Sequence, residues 1–173
     1  MLEPSTFQPG QIVLRDIRID ETAWNTAAPD RRREWKQLIR ELLERQPADA
    51  EESLCLLLSP PIAGVFRLEL ETEEGYPLRE ILLPLKAILP HIEEYADICQ
   101  QLAGLGEGIS SARLEALDMG KRVVHDRAAK VLLEFCGTFL PDEETARHFF
   151  SLLISLHLDT TKMLHVAPGW VAG

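Results

Sequence analysis

Apolar and polar residues alternate over residues 11–19, where Ile12, Leu14, Ile17 and Ile19 interleave with Arg15, Asp16 and Arg18. A period of two marks a strand with one buried face. The period slips once near Asp16, as a bulge would make it do. From Pro29 the period becomes helical: Trp35, Leu38, Ile39, Leu42 and Leu43 recur at the spacing of one helix face. Pro29 suits a first helical turn and Asp30 complements the positive end of its dipole. Gln46-Pro47 ends the helix, because a residue before proline avoids the helical region.

Residues 54–58 are a short apolar run stopped by Pro60-Pro61. Residues 65–72 place Phe66, Leu68 and Leu70 on one face and Arg67, Glu69 and Glu71 on the other. Glu73-Glu74-Gly75 turns the chain and residues 78–83 return, which predicts a hairpin. Strands with one wet face predict antiparallel pairing. Three helical patterns follow. Leu85, Ile88, Leu89, Ile92, Tyr95, Ala96, Cys99 and Leu102 make the first stripe, with Pro90 expected to restart or kink the helix. Residues 114–135 form the longest, with Ser111 as the expected N-cap and Leu114, Leu117, Val124, Ala128, Val131, Leu132 and Phe135 on one face. Pro141 and three acidic residues open the last, whose stripe is Ala146, Phe149, Phe150, Leu153 and Leu156.

The predicted order is β-α-β-β-β-α-α-α. Segregated strands and helices indicate an α+β fold: a small antiparallel sheet of about four strands packed by about four helices. Residues 1–157 read as one domain and residues 158–173, with Trp170, as a tail. A chain of 173 residues with 46 % apolar content fits one core.

The formal net charge of −10 works against non-specific binding to nucleic acid or to an anionic membrane. Cys55, Cys99 and Cys136 lie far apart in apolar surroundings and read as reduced thiols in a cytoplasmic protein. The first residues have neither a basic nor an apolar leader segment, and no apolar run is long enough to span a bilayer.

The sharpest chemical candidate lies on the long helix. At about 100° per residue, Asp118, Arg122 and His125 fall within about 60° of one another, with Glu115 on the same flank. A site built there would use His125 as proton acceptor, Asp118 to orient it, and Arg122 to hold an anionic group. The bland alternative, favoured on spacing alone, is an i, i+4 ion pair between Asp118 and Arg122 beside a packed histidine. Gly120 in mid-helix invites close approach of a neighbouring element, at a propensity cost of about 1 kcal/mol. Gly104, Gly106 and Gly108 lack the preceding strand and the lysine of a phosphate loop, and the five histidines lack metal-ligand spacing, so neither a cofactor nor a metal is expected. Arg31-Arg32-Arg33, with Lys36 and Arg40, is the one basic run and reads first as a solvated helix face.

The run Glu115-Ala116-Leu117-Asp118-Met119-Gly120-Lys121-Arg122, followed by His125, resembles the signature of uncharacterised protein family 0262 of alphaproteobacteria. Asp20-Glu21, Pro29-Asp30 with Glu34, Tyr95 with Ile98-Cys99, Thr145-Ala146-Arg147 with Phe150, and Leu156-His157 match in the same order. The resemblance spans about residues 12–157. It departs after Arg122, where Val123-Val124 precede the histidine and Asp126-Arg127-Ala128 follow it, and near Arg32-Arg33. The resemblance implies a bacterial α+β domain and carries no activity with it.

Three functions follow as expectations. The first is a non-catalytic protein-interaction domain, self-associating or bound to another protein, with Arg31, Arg32, Arg33 and Trp170 as contact residues. The second is a small-ligand binder or enzyme using Asp118, Arg122 and His125, with Glu34, Glu115 and Arg122 as ligand-binding groups. The third is RNA or ribosome association through Arg31-Arg32-Arg33, ranked last on charge.

Overall fold

The computed structural model describes residues 12–47, 52–106 and 108–163. The chain runs β1 (Ile12–Ile19), α1 (Glu21–Thr26), α2 (Pro29–Glu44), β2 (Glu52–Leu58), β3 (Val65–Glu71), β4 (Pro77–Pro84), α3 (Leu85–Ala103), α4 (Ser111–Cys136), α5 (Glu143–His157) and α6 (Thr160–Met163). The α+β class and the order read from the sequence hold, with the short helices α1 and α6 added. Trp170 lies outside the described residues.

The sheet order is β1-β2-β3-β4. The expectation of a wholly antiparallel sheet is corrected. β2, β3 and β4 pair antiparallel, but β1 and β2 pair parallel, so the sheet is mixed. The reason lies in the connection. α1 and α2 carry the chain back along the sheet before β2 begins, and such a crossover delivers the next strand in the same direction. The slip near Asp16 is real: the β1–β2 register shifts between Leu14 and Asp16.

The sheet has one wet face. On β3, Phe66, Leu68 and Leu70 are buried while Arg67 is exposed and Glu69 and Glu71 are partly so. Leu54, Leu56, Leu58, Ile81 and Leu83 join Phe66, Leu68 and Leu70 in the core. Among the helices, α5 lies between α2 and α4, and α3 packs against α4. α5 is buried nearly all round: every residue from Thr145 to Leu156 is enclosed except Arg147. A single apolar stripe understates it, since Ser151, Ser155 and His148 are buried as well.

Boundaries shift by a turn or less. Ser110, not Ser111, caps α4, accepting from the Arg113 N–H at 3.3 Å. Asp142 caps α5 by accepting from the Thr145 N–H at 2.7 Å. α3 runs through Pro90 without interruption. α4 projects beyond its neighbours at its N-terminal end, where residues 111–116 are exposed on every side, so Leu114 meets solvent. At the other end of the chain, Thr160 of α6 is buried and donates to the Glu34 carboxylate at 2.7 Å, fixing α6 to α2.

At Gly120 α4 lies close against Ile98 of α3. A Cβ built there would stand 3.2 Å from Ile98 Cδ1. Gly120→Val is expected to overpack this contact and destabilise the protein by about 1–3 kcal/mol, read as a lower urea midpoint. An unchanged midpoint would show that the helices have room to spare.

Candidate functional site

The signature helix divides into two faces. His125 is 4 % exposed, whereas Asp118, Arg122 and Glu115 face solvent. The His125 ring is held from three elements. Its Nδ1 lies 2.9 Å from the Lys121 carbonyl, which can only accept, so Nδ1 carries the hydrogen. Its Nε2 lies 3.1 Å from the Ser151 hydroxyl of α5. Tyr95 of α3 and Phe150 of α5 stand edge-on to it, with centroids at 5.1 and 5.2 Å. Burial pushes the imidazole below its ordinary value of 6.5. In the neutral ring Nε2 therefore keeps a lone pair, and the Ser151 hydroxyl donates to it. Both nitrogens are occupied, so Asp118 is not the group that orients His125. No ion pair joins Asp118 to Arg122 either. The structure does not bring the three candidates into one site.

The other titrating groups of this region share one character. Burial pushes the Tyr95 hydroxyl, the Cys99 thiol and the Glu34 carboxyl up, each toward its neutral form. Here desolvation dominates throughout, which describes a packed polar core across α2, α3, α4 and α5. Glu34 and Arg122 sit on different helices, Glu34 engaged by Thr160 and Arg122 in solvent.

The basic run also separates. Arg31 donates to the carbonyls of Ser155 and Leu156 at 3.1 and 3.2 Å, closing the C-terminal end of α5, and lies over the Trp35 ring at 5.0 Å. Trp35 Nε1 donates to the Ser155 carbonyl at 3.3 Å. Arg32 is half-buried, and Arg33 is exposed and bonds Asp30. Arg31 is therefore committed to the fold.

A surface that the sequence reading did not single out lies at the free edge of β1. Among the described residues β1 has a strand neighbour on one side only. Along its other side runs α2, and between them opens a trough of ≈ 740 Å³. Ile17, Ile19, Trp24, Ile39 and Leu43 supply its apolar lining, and Lys36 and Arg40 its helix wall. Glu21 and Glu44 also line it. At one end Gln46 Oε1 accepts from the Leu14 N–H at 3.0 Å, taking the place of a strand. Toward the other end stands Trp24 of α1, with the Lys36 ammonium 5.6 Å from its ring centre. The sequence held one signal of this trough: Ile39 and Leu43 widen the α2 stripe beyond the buried Trp35, Leu38 and Leu42.

The chain belongs to uncharacterised protein family UPF0262, whose model matches residues 11–159. A UPF0262 protein of Rhodospirillum rubrum is 29 % identical over 156 residues, covering 83 % of this chain and 91 % of its own. One of Dinoroseobacter shibae is 29 % identical over 160 residues, with 83 % and 96 % covered. One of Nitrobacter winogradskyi is 28 % identical over 145 residues, with 82 % and 87 % covered. No solved structure matches the chain. Among the described residues no helix is long and apolar enough to cross a membrane.

Two outcomes test this description. His125 resists protonation in the fold, so stability is full above pH 6.5 and is lost as pH falls through that value, where only the unfolded chain takes up the proton. The urea midpoint should fall between about pH 7.5 and pH 5.5, and fall less steeply in His125→Gln. His148 and His157 are displaced downward and Glu34 upward in both proteins, so their contributions cancel in the comparison. An identical slope in the variant would contradict the buried neutral ring. Separately, Arg31→Ala should cost about 1–3 kcal/mol in chemical denaturation, and Arg33→Ala about 0.5 kcal/mol or less.

Proposed function

We propose that the protein is a non-catalytic interaction domain of the cytoplasm, and that its working surface is the trough between β1 and α2. One observation carries the reading: an edge strand and a helix face each other across an apolar trough. An extended polypeptide laid there would displace the Asp16 carboxylate from the Ile17 N–H, which it holds at 2.9 Å, and bond to the edge of β1 through its main chain, while alternate side chains met Ile39 and Leu43. Strand addition of this kind needs no catalytic group, and the buried neutral core around His125 offers none. The three cysteines, free and buried, accord with a reducing compartment.

The test is selection of binders from a library of short random peptides, followed by amide hydrogen exchange. A selected peptide should slow exchange along residues 16–19. Leu43→Glu should weaken binding at least about tenfold by placing a charge in the apolar lining. Met119→Glu, on the exposed side of α4, should leave binding unchanged. Protection confined to α4, or equal binding by Leu43→Glu, would overturn the reading.

A further inference from the structure

The outer face of α4 carries an apolar stripe that no element covers among the described residues. Ala112, Ala116, Met119 and Val123 recur at alternating steps of four and three residues. At about 100° per residue they fall within about 60° of one another, on the side opposite the buried His125, Ala128 and Leu132. All four are exposed, Met119 to 58 % and Val123 to 36 %. Alternating steps of four and three are the repeat of a helix that packs along another helix. α4 also projects beyond its neighbours, where residues 111–116 are exposed on every side, so a second helix has room to lie along it.

From this we infer that the stripe holds a second copy of the chain, with the two α4 helices packed antiparallel about a two-fold axis. The layers follow from the repeat. In an antiparallel pair the two kinds of apolar position meet each other, so Ala112 lies on the partner's Val123 and Ala116 on the partner's Met119, and the axis repeats both contacts. Every layer then sets a small side chain against a larger one, which keeps the helices evenly spaced. The charges agree with this register, although they played no part in choosing it. On one flank of the stripe the register brings Glu115 to the partner's Arg122, and Arg122 to the partner's Glu115. On the other flank Arg113 meets the partner's Gly120, which brings no charge. A parallel pair would set Arg122 against the partner's Arg127 and leave Glu115 opposite a glycine, so charge selects the antiparallel arrangement. Three helical turns, about 17 Å, make a small interface, and the dimer is accordingly weak, dissociating in the micromolar range. α2 and α4 lie on opposite flanks of α5, so this surface is separate from the β1–α2 trough and does not rest on the strand-addition reading.

Sedimentation velocity of the full chain between about 1 and about 500 μM tests the inference, and the wild type should pass from monomer to dimer across that range. Val123→Glu should weaken the dimer at least about tenfold, by bringing a carboxylate into an apolar layer. Glu115→Arg and Arg122→Glu should each weaken it about fivefold or more, because each sets like charges together twice across the axis. An equimolar mixture of those two variants should dimerise about as tightly as the wild type, since each supplies the charge the other lacks. Unchanged helix content by circular dichroism confirms that the variants fold. A monomer throughout the range overturns the inference. So does a dimer that Val123→Glu leaves intact, which would put the contact on another face, the β1 edge included. Charge variants that leave the dimer as tight as before, or whose mixture fails to recover it, would overturn the antiparallel register.

Discussion

Helix α5 has almost no solvent face, and a polar group along it can find a partner only inside the protein. Ser151 finds the His125 ring, the Ser155 carbonyl takes Arg31 and Trp35, and His148 lies 3.6 Å from the Glu41 carboxylate. These contacts fix α2 on one flank of α5 and α4 on the other. A helix that was merely apolar could slide or rotate against its neighbours at small cost. One carrying buried polar groups has few registers in which most of them are met, and here the Thr145 hydroxyl is left without a partner. The helical layer is organised around one such register, and the sheet receives it on its one dry face.

His125 belongs to this scheme more than to any chemistry. It joins α3, α4 and α5 at a single ring. The glycine and lysine before it serve the same junction, Gly120 by admitting Ile98 and Lys121 by offering its carbonyl. The marker run of the family is thus, on its inner side, a packing joint. Its outer side, with Asp118, Met119 and Arg122, remains in water.

Much of the fold was legible because it rests on periodicity. The stripes of α2, α3 and α5 and the alternation of β1 and β3 follow from repeat lengths that local sequence displays. The parallel pairing of β1 with β2 was also within reach, since one long helix returning along the sheet between adjacent strands leaves the second strand pointing the same way as the first. The candidate site was not legible. Asp118, Arg122 and His125 lie within about 60° on a helical wheel, yet the edge of the buried face passes between them. A wheel gives angles and not the neighbours that decide which side is dry. The trough is harder still, because its walls come from β1, α1 and α2, and nothing local declares β1 to be an edge.

The side chain of Gln46 sits against the main chain of Leu14 where a strand would otherwise continue. An uncovered strand edge is a template on which copies of a protein can add without limit. With Gln46 at one end, the register shift between Leu14 and Asp16 beside it, and α1 at the other, only a few residues of β1 remain accessible. A guest strand can be received there, but it cannot extend into a growing sheet. At this edge of the sheet the same glutamine that shortens the docking surface also guards against fibre growth.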